Sequence, residues 1–267
     1  MDATAVAARA LGHLEKLKPG GGGNRTFTSD LSVDELLLVE EAGFEPLELV
    51  VGSSIYHVGF QFMGWNQSQE LTVLSQAMYQ ARELAMGRME SEADGLGADG
   101  IVGVRLEIDF EGWGGGLAEF IAIGTAIKSR RGSLRTPRGR VFTSDLSGQD
   151  FWTLLRSGHR PLGLVMGTCV YHVAAQGLGR WLGMMGNNVE LSNFTEAMYR
   201  ARELAMGRMQ AEALAVDAEG IVGVNLHERS HVWGGHTIEF FAVGTAVMPR
   251  SEGEEIVHPE LVLPLDR

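Results

Sequence analysis

Along this chain the spacing of apolar residues passes through three regimes and then repeats them. Leu47 to Val51 is an apolar run closed by Gly52, the pattern of a buried strand. From Glu70 to Leu96 apolar residues fall at Leu71, Leu74, Met78, Ala81, Ala85, Met89 and Ala93, and steps of three and four predict a long amphipathic helix. Beyond Gly97-Ala98-Asp99-Gly100 the period drops to two. Val102, Val104, Leu106, Ile108 and Phe110 point one way and Arg105, Glu107, Asp109 and Glu111 the other, as in a half-solvated strand. Trp113-Gly114-Gly115-Gly116 predicts a turn into a strand from Leu117 to Lys128 that is apolar on both faces. Upstream, Ser32 with Glu35 three residues later is a capping-box signature and Gly43 marks an end, so a short helix is predicted over Val33 to Ala42.

The whole order returns. Phe27-Thr28-Ser29-Asp30-Leu31-Ser32 recurs as Phe142-Thr143-Ser144-Asp145-Leu146-Ser147, an offset of 115 residues. Ala77 to Met89 recurs as Ala197 to Met209 at an offset of 120, with Arg200 for Gln80 as the one change. Five extra residues between Val173 and Ala197 therefore mark a surface loop, where added length costs little. The second copy supplies Ser147, Asp150 and Gly158 for the short helix and Leu162 to Met166 for the first strand. Ile221 to Val232, Trp233-Gly234-Gly235 and Thr237 to Met248 form its hairpin. The expected organisation is a flexible arm at 1–24, a domain at 25–128, a basic linker at 129–139 containing Pro137, a second domain at 140–249 and a tail at 250–267. Each domain reads as α+β in the order strand, helix, strand, strand: a small antiparallel sheet with one long helix. Such a sheet buries one face and needs a partner for the other.

Composition narrows the function. Lys and Arg number 22 against 34 Asp and Glu, a formal charge of -12, which disfavours nucleic-acid and anionic-membrane partners because phosphates need clustered cations. A single cysteine, Cys169, excludes an internal disulfide framework and a thiolate zinc cluster built from one chain. No stretch reaches the roughly 18 to 20 apolar residues of a membrane span. The start Met1-Asp2-Ala3, basic only at Lys16 and Lys18, reverses the order of a secretory signal, so a cytoplasmic location is expected.

Several ordered motifs carry a family resemblance. They are Gly52 and Gly59 around the first loop, Ala81-Arg82-Glu83-Leu84-Ala85, Gly97-Ala98-Asp99-Gly100-Ile101-Val102-Gly103-Val104 and Gly124-Thr125-Ala126-Ile127-Lys128. The second copy keeps Gly220-Ile221-Val222-Gly223-Val224 and Gly244-Thr245-Ala246-Val247, with Val216-Asp217-Ala218-Glu219 in place of Gly-Ala-Asp. Over about 46–128 and 161–248 the chain resembles the YbjQ family of heavy-metal-binding domains. That resemblance implies strand-helix-strand-strand domains assembled in pentameric rings, with an architecture like that of dodecin, whose assemblies bind flavin. Duplication departs from the family pattern, and five chains carrying ten domains fit it as stacked rings or as a larger shell.

Candidate chemistry is sparse. Tyr56-His57 and Tyr171-His172 recur after the first strand, where the imidazoles read either as ligands for a divalent metal ion or as packing groups against the next subunit. His231 and His236 flank the second Gly-Gly turn and form another candidate metal pair, completed by Glu228 or a neighbouring chain. Glu119 and Glu239 sit between apolar neighbours and demand a cation, with Arg82, Arg202, Arg88 and Arg208 as candidate partners in structural ion pairs. No nucleophile, acid and base recur together. Three functions therefore stand: a non-enzymatic homo-oligomeric scaffold or binding protein, which leads; a heavy-metal-binding or sequestering protein; and a small-molecule or flavin-type site between subunits, with Trp65, Trp113, Trp181 and Trp233 as stacking platforms. The tail, acidic at Glu252, Glu254 and Glu255 and broken by Pro259 and Pro264, is expected to be a disordered end or an extended peptide that docks on a partner.

Overall fold

The computed structural model describes residues 27–57, 68–109, 117–173, 192–231 and 237–250. The first copy runs α1 (Val33–Glu41), β1 (Phe44–His57), β2 (Gln69–Glu70), α2 (Thr72–Gly95), β3 (Gly100–Asp109) and β4 (Leu117–Ser129). The second runs β5 (Phe142–Thr143), α3 (Gly148–Arg156), β6 (His159–His172), α4 (Ser192–Ala215), β7 (Gly220–His231) and β8 (Thr237–Pro249). Both copies thus take the α+β order expected from the pattern. The arm at 1–24, Trp65, Trp113, Trp181, Trp233, His236, the predicted turn at 113–116 and the tail beyond Arg250 lie outside the described residues.

Two four-stranded sheets form, in the orders β1-β4-β3-β5 and β2-β6-β8-β7. Each sheet takes one short edge strand from the other copy. Strand β5 runs parallel to β3 with Phe142 opposite Gly100, and β2 runs antiparallel to β6 with Glu70 opposite Tyr171. Within each copy the long first strand pairs antiparallel with the last, Val51 opposite Ile123 and Met166 opposite Val243.

The first strand is longer than its apolar run suggests. It passes through Gly52 in one copy and Gly167 in the other, so Tyr56-His57 and Tyr171-His172 end strands and do not sit in loops. The glycines mark a close approach, not a strand end: a Cβ on Gly52 would fall 2.0 Å from the Ala85 carbonyl oxygen, and one on Gly167 1.9 Å from that of Ala205. Alternation then sorts the strand. Val50, Gly52 and Ser54 are buried toward α2, while Val51, Ser53 and Ile55 face the other way and are exposed. The strict period of two in the third strand also breaks. Gly103 and Gly223, at φ +64° and +65°, sit at register shifts between Val102 and Arg105 and between Val222 and Asn225, the signature of a bulge.

The repeated Thr-Ser-Asp-Leu-Ser segment has a structural task in both copies. Ser29 Oγ lies 3.0 Å from Thr125 Oγ1, which also accepts from the Asp30 amide, and Ser144 and Asp145 make the same contacts to Thr245. The segment is thereby tied to the back of the sheet before α1 or α3 begins. The capping box forms at Ser32 and Glu35, and α1 meets α3 where Gly148 leaves room for the Glu35 backbone. Phe44, Phe142 and Phe151 fill the space beneath, with ring centroids 5.3 to 6.3 Å apart.

Candidate functional site

The two copies meet at an asymmetric junction. Helix α2 lies on its own sheet with one face and on the sheet of the second copy with the other, joining Met166, Val170, Phe241 and Val243 to the core of the first copy. Arg82 reaches out of α2 into this second sheet. Its guanidinium donates to the Glu239 carboxylate and to the Thr168 hydroxyl, 4.0 Å from the Phe241 ring centroid and 5.5 Å from that of Phe120. Neither Arg82 nor Glu239 exposes any surface. Two planar aromatic faces and a carboxylate together replace the water a guanidinium loses on burial.

Further contacts close the junction. The Val170 amide donates to Ser75 Oγ at 2.9 Å, Arg208 of α4 pairs with Glu70 of β2 at 2.7 Å, and the Tyr79 hydroxyl donates to Glu212. Behind Tyr79 lies a cavity of about 480 Å³ lined by Glu83, Glu90, Arg138, Arg140 and Leu164 among others. Burial holds the Glu212 carboxyl above the ordinary carboxylate range, against the hydrogen bonds it accepts from Tyr79 and from the Met166 amide. The folded chain therefore binds the Glu212 proton more readily than the unfolded chain, and this group's contribution to stability falls as pH rises from the ordinary carboxylate value through the raised one. Glu212→Gln is expected to flatten that dependence. Melting curves from about pH 4 to 7 should show the variant gaining on the wild type toward neutrality, and parallel curves would contradict it.

Sequence reasoning placed Glu239 beside a cation without locating it in the other copy, and it did not reach Tyr79, Glu70 or Glu212. Recurrence of Glu212 as Glu92, at the offset of 120, was the available signal. Arg88 and Arg208 donate to the carbonyls of Ser53 and Thr168 and so anchor each helix to its own first strand. Arg202 is exposed, 4.7 Å over the Tyr199 ring, and Glu119 is half-buried. His172 is buried at the end of β6. His57 and His231 are the last residues of β1 and β7, and their side chains lie outside the described residues.

Among the described residues no three of His, Cys, Asp and Glu converge, and the side chains of His57, His231 and His236 lie outside them. Burial, reinforced by Glu70, pushes the Cys169 thiol up to about 12, which keeps it protonated and a poor ligand. No described helix is long and apolar enough to cross a membrane.

The junction exposes in one copy what it covers in the other. Val51 and Ile55 on the outer face of β1 are 43% and 51% exposed, whereas their counterparts Met166 and Val170 are covered by α2. Conversely Tyr199, Arg202 and Met206 on α4 are open to solvent or half-buried where Arg82 and Met86 on α2 are buried. One sheet face and one helix face are left over, and each is the repeat's counterpart of a face that the junction buries.

Comparison with known proteins agrees with the duplicated architecture. The YbjQ family model, described as "Putative heavy-metal-binding", matches residues 49–130 and 158–250. An encapsulin nanocompartment protein of Mycobacterium tuberculosis is 51% identical over 263 residues, 98% of this chain and 97% of its own length. A UPF0145 protein of Alkaliphilus metalliredigens is 36% identical over 95 residues, 34% of this chain but 90% of its own, the size of one copy. Another, from Natronomonas pharaonis, is 44% identical over 61 residues, 23% of this chain and 57% of its own. Both matched segments hold the strand, the long helix and the hairpin, and the chain belongs to the YbjQ family as a tandem member.

Proposed function

We propose that the chain is a non-enzymatic structural subunit of a homo-oligomeric assembly of the nanocompartment type. The observation that carries this reading is the pair of leftover faces, an apolar sheet face with Val51 and Ile55 on the first copy and a helix face with Tyr199, Arg202 and Met206 on the second. Apolar patches of that kind mark interaction surfaces on soluble proteins. A cargo protein needs one docking surface for its container. Two complementary surfaces on one chain favour self-assembly. Similarity to a relative named as an encapsulin nanocompartment protein, across nearly the full length of both chains, supports the compartment.

The rings that the family resemblance implies favour five chains carrying ten copies, with residues 25–128 and 140–249 as the repeating domains and 129–139 as the connection. In solution at micromolar concentration the full chain is expected at five times its 28.9 kDa mass or a multiple of that assembly. Light scattering that returns 28.9 kDa would remove the scaffold reading altogether.

A further inference from the structure

The Arg82, Tyr79 and Phe142 contacts at the junction between the copies have counterparts on the leftover faces, because the residues recur 115 and 120 positions apart. Resting on the assembly reading above, we infer that the second copy of one chain docks on the first copy of a second chain through these counterparts. Arg202 enters against Glu119 and Ser53 as Arg82 does against Glu239 and Thr168. Tyr199 reaches Glu92 as Tyr79 reaches Glu212. The Phe27–Leu31 segment adds to the edge of β7 as Phe142–Leu146 adds to β3.

The edge strand gives the register. In the first sheet β5 covers β3, whereas among the described residues β7 is the outermost strand of the second sheet. An outer strand presents a row of backbone donors and acceptors that another chain can pair with. Within the chain the Phe142 amide donates to the Asp99 carbonyl at 3.1 Å, the Ser144 amide to Ile101 at 2.9 Å, and the Val104 amide to Ser144 at 2.9 Å. The repeat converts these to Phe27 with Glu219, Ser29 with Ile221, and Val224 with Ser29.

A glycine supports the same register. The Phe142 ring lies so close over Gly100 that a Cβ there would fall 2.0 Å from it. Gly220 is the counterpart, and the nearest atom to a Cβ there is a Val247 methyl at 3.7 Å. Among the described residues nothing therefore demands glycine at 220, while Phe27, the counterpart of Phe142, is 46% exposed. Seating the Phe27 ring over Gly220 accounts for both.

The receiving face is already arranged. Ser29 and Asp30 hold their segment on Thr125 with the contacts that Ser144 and Asp145 make to Thr245, so docking requires little ordering. Glu92 holds the Val51 amide at 2.8 Å through one oxygen, as Glu212 holds the Met166 amide at 2.7 Å. On Glu212 the other oxygen takes the tyrosine. Because the faces differ, the contact is heterologous: each chain gives one face and receives the other, a rule that builds closed rings or filaments and excludes the pairing of one face with its own copy.

The test is a full-length chain carrying Phe27→Cys and Gly220→Cys. Residues opposite each other on paired strands lie within disulfide reach, and native Cys169 is buried. Mild oxidation followed by denaturing electrophoresis is expected to give a ladder of covalently linked chains for the double variant and single chains for either variant alone. In parallel, Arg202→Glu is expected to lower the solution mass to that of one chain with unchanged circular dichroism, and Arg202→Glu with Glu119→Arg to restore it. An oligomer that forms no ladder, or one that keeps its mass with Arg202→Glu, overturns this docking mode and leaves the assembly reading standing. A wild-type chain at 28.9 kDa overturns both.

Discussion

Glu239→Ala is expected to destabilise the chain by about 3–5 kcal/mol, read as a fall in the urea midpoint. The substitution removes the Glu239 carboxylate that the buried Arg82 guanidinium contacts between two aromatic rings. A guanidinium keeps its charge throughout the accessible pH range and so cannot escape by deprotonating. The Thr168 hydroxyl remains as an acceptor but carries no charge to balance it. Against a typical total of about 5–15 kcal/mol, such a loss is a large fraction of all the stability a domain has. Glu239→Gln keeps an acceptor and should cost less. Replacing both partners, Arg82→Met with Glu239→Leu, should cost less than Glu239→Ala alone, since the pair stabilises mainly by avoiding a lone buried charge. If Glu239→Ala shifts stability by under about 1 kcal/mol, the guanidinium reaches water and the junction is looser than its packing indicates.

How much of this was legible beforehand depends on whether a feature is local. Steps of three and four from Leu71 to Ala93 and the alternation after Gly103 report one-sided burial, which each segment carries in its own residues, so α2 and the outer part of β3 were readable, while the bulge at Gly103 was not. The capping box at Ser32 is likewise local. The borrowed strands β2 and β5 are two residues long and have no period to detect. Glu239 announced its need for a cation by its apolar neighbours. Which arginine answered was decided by the packing of α2 on the other copy's sheet, a property of no single segment. Gly52 misled for a related reason. A glycine that ends a strand and one that admits a helix look alike until the helix is in place.

That second role of Gly52 sets the other large effect. Gly52→Ala is expected to lower the melting temperature by several degrees, corresponding to about 1–3 kcal/mol of overpacking. The added Cβ would meet the Ala85 carbonyl oxygen at 2.0 Å and the Met89 amide nitrogen at 2.5 Å, both backbone atoms that no side-chain rotation can move. Helix α2 must then rise off β1, and the alanines that let it lie so close, Ala81 and Ala85, lose their contacts. Because α2 also carries Arg82, Tyr79 and Ser75 into the second copy, the displacement spreads to the junction. Gly87 in the same helix supplies the comparison. Among the described residues nothing beyond the helix's own backbone lies within 4 Å of a Cβ there, so Gly87→Ala should gain up to about 1 kcal/mol through helix propensity alone. One chemical change thus has opposite signs at two glycines of one helix-sheet layer. Equal shifts at both positions would show that the closeness of helix and strand is not what glycine at 52 provides.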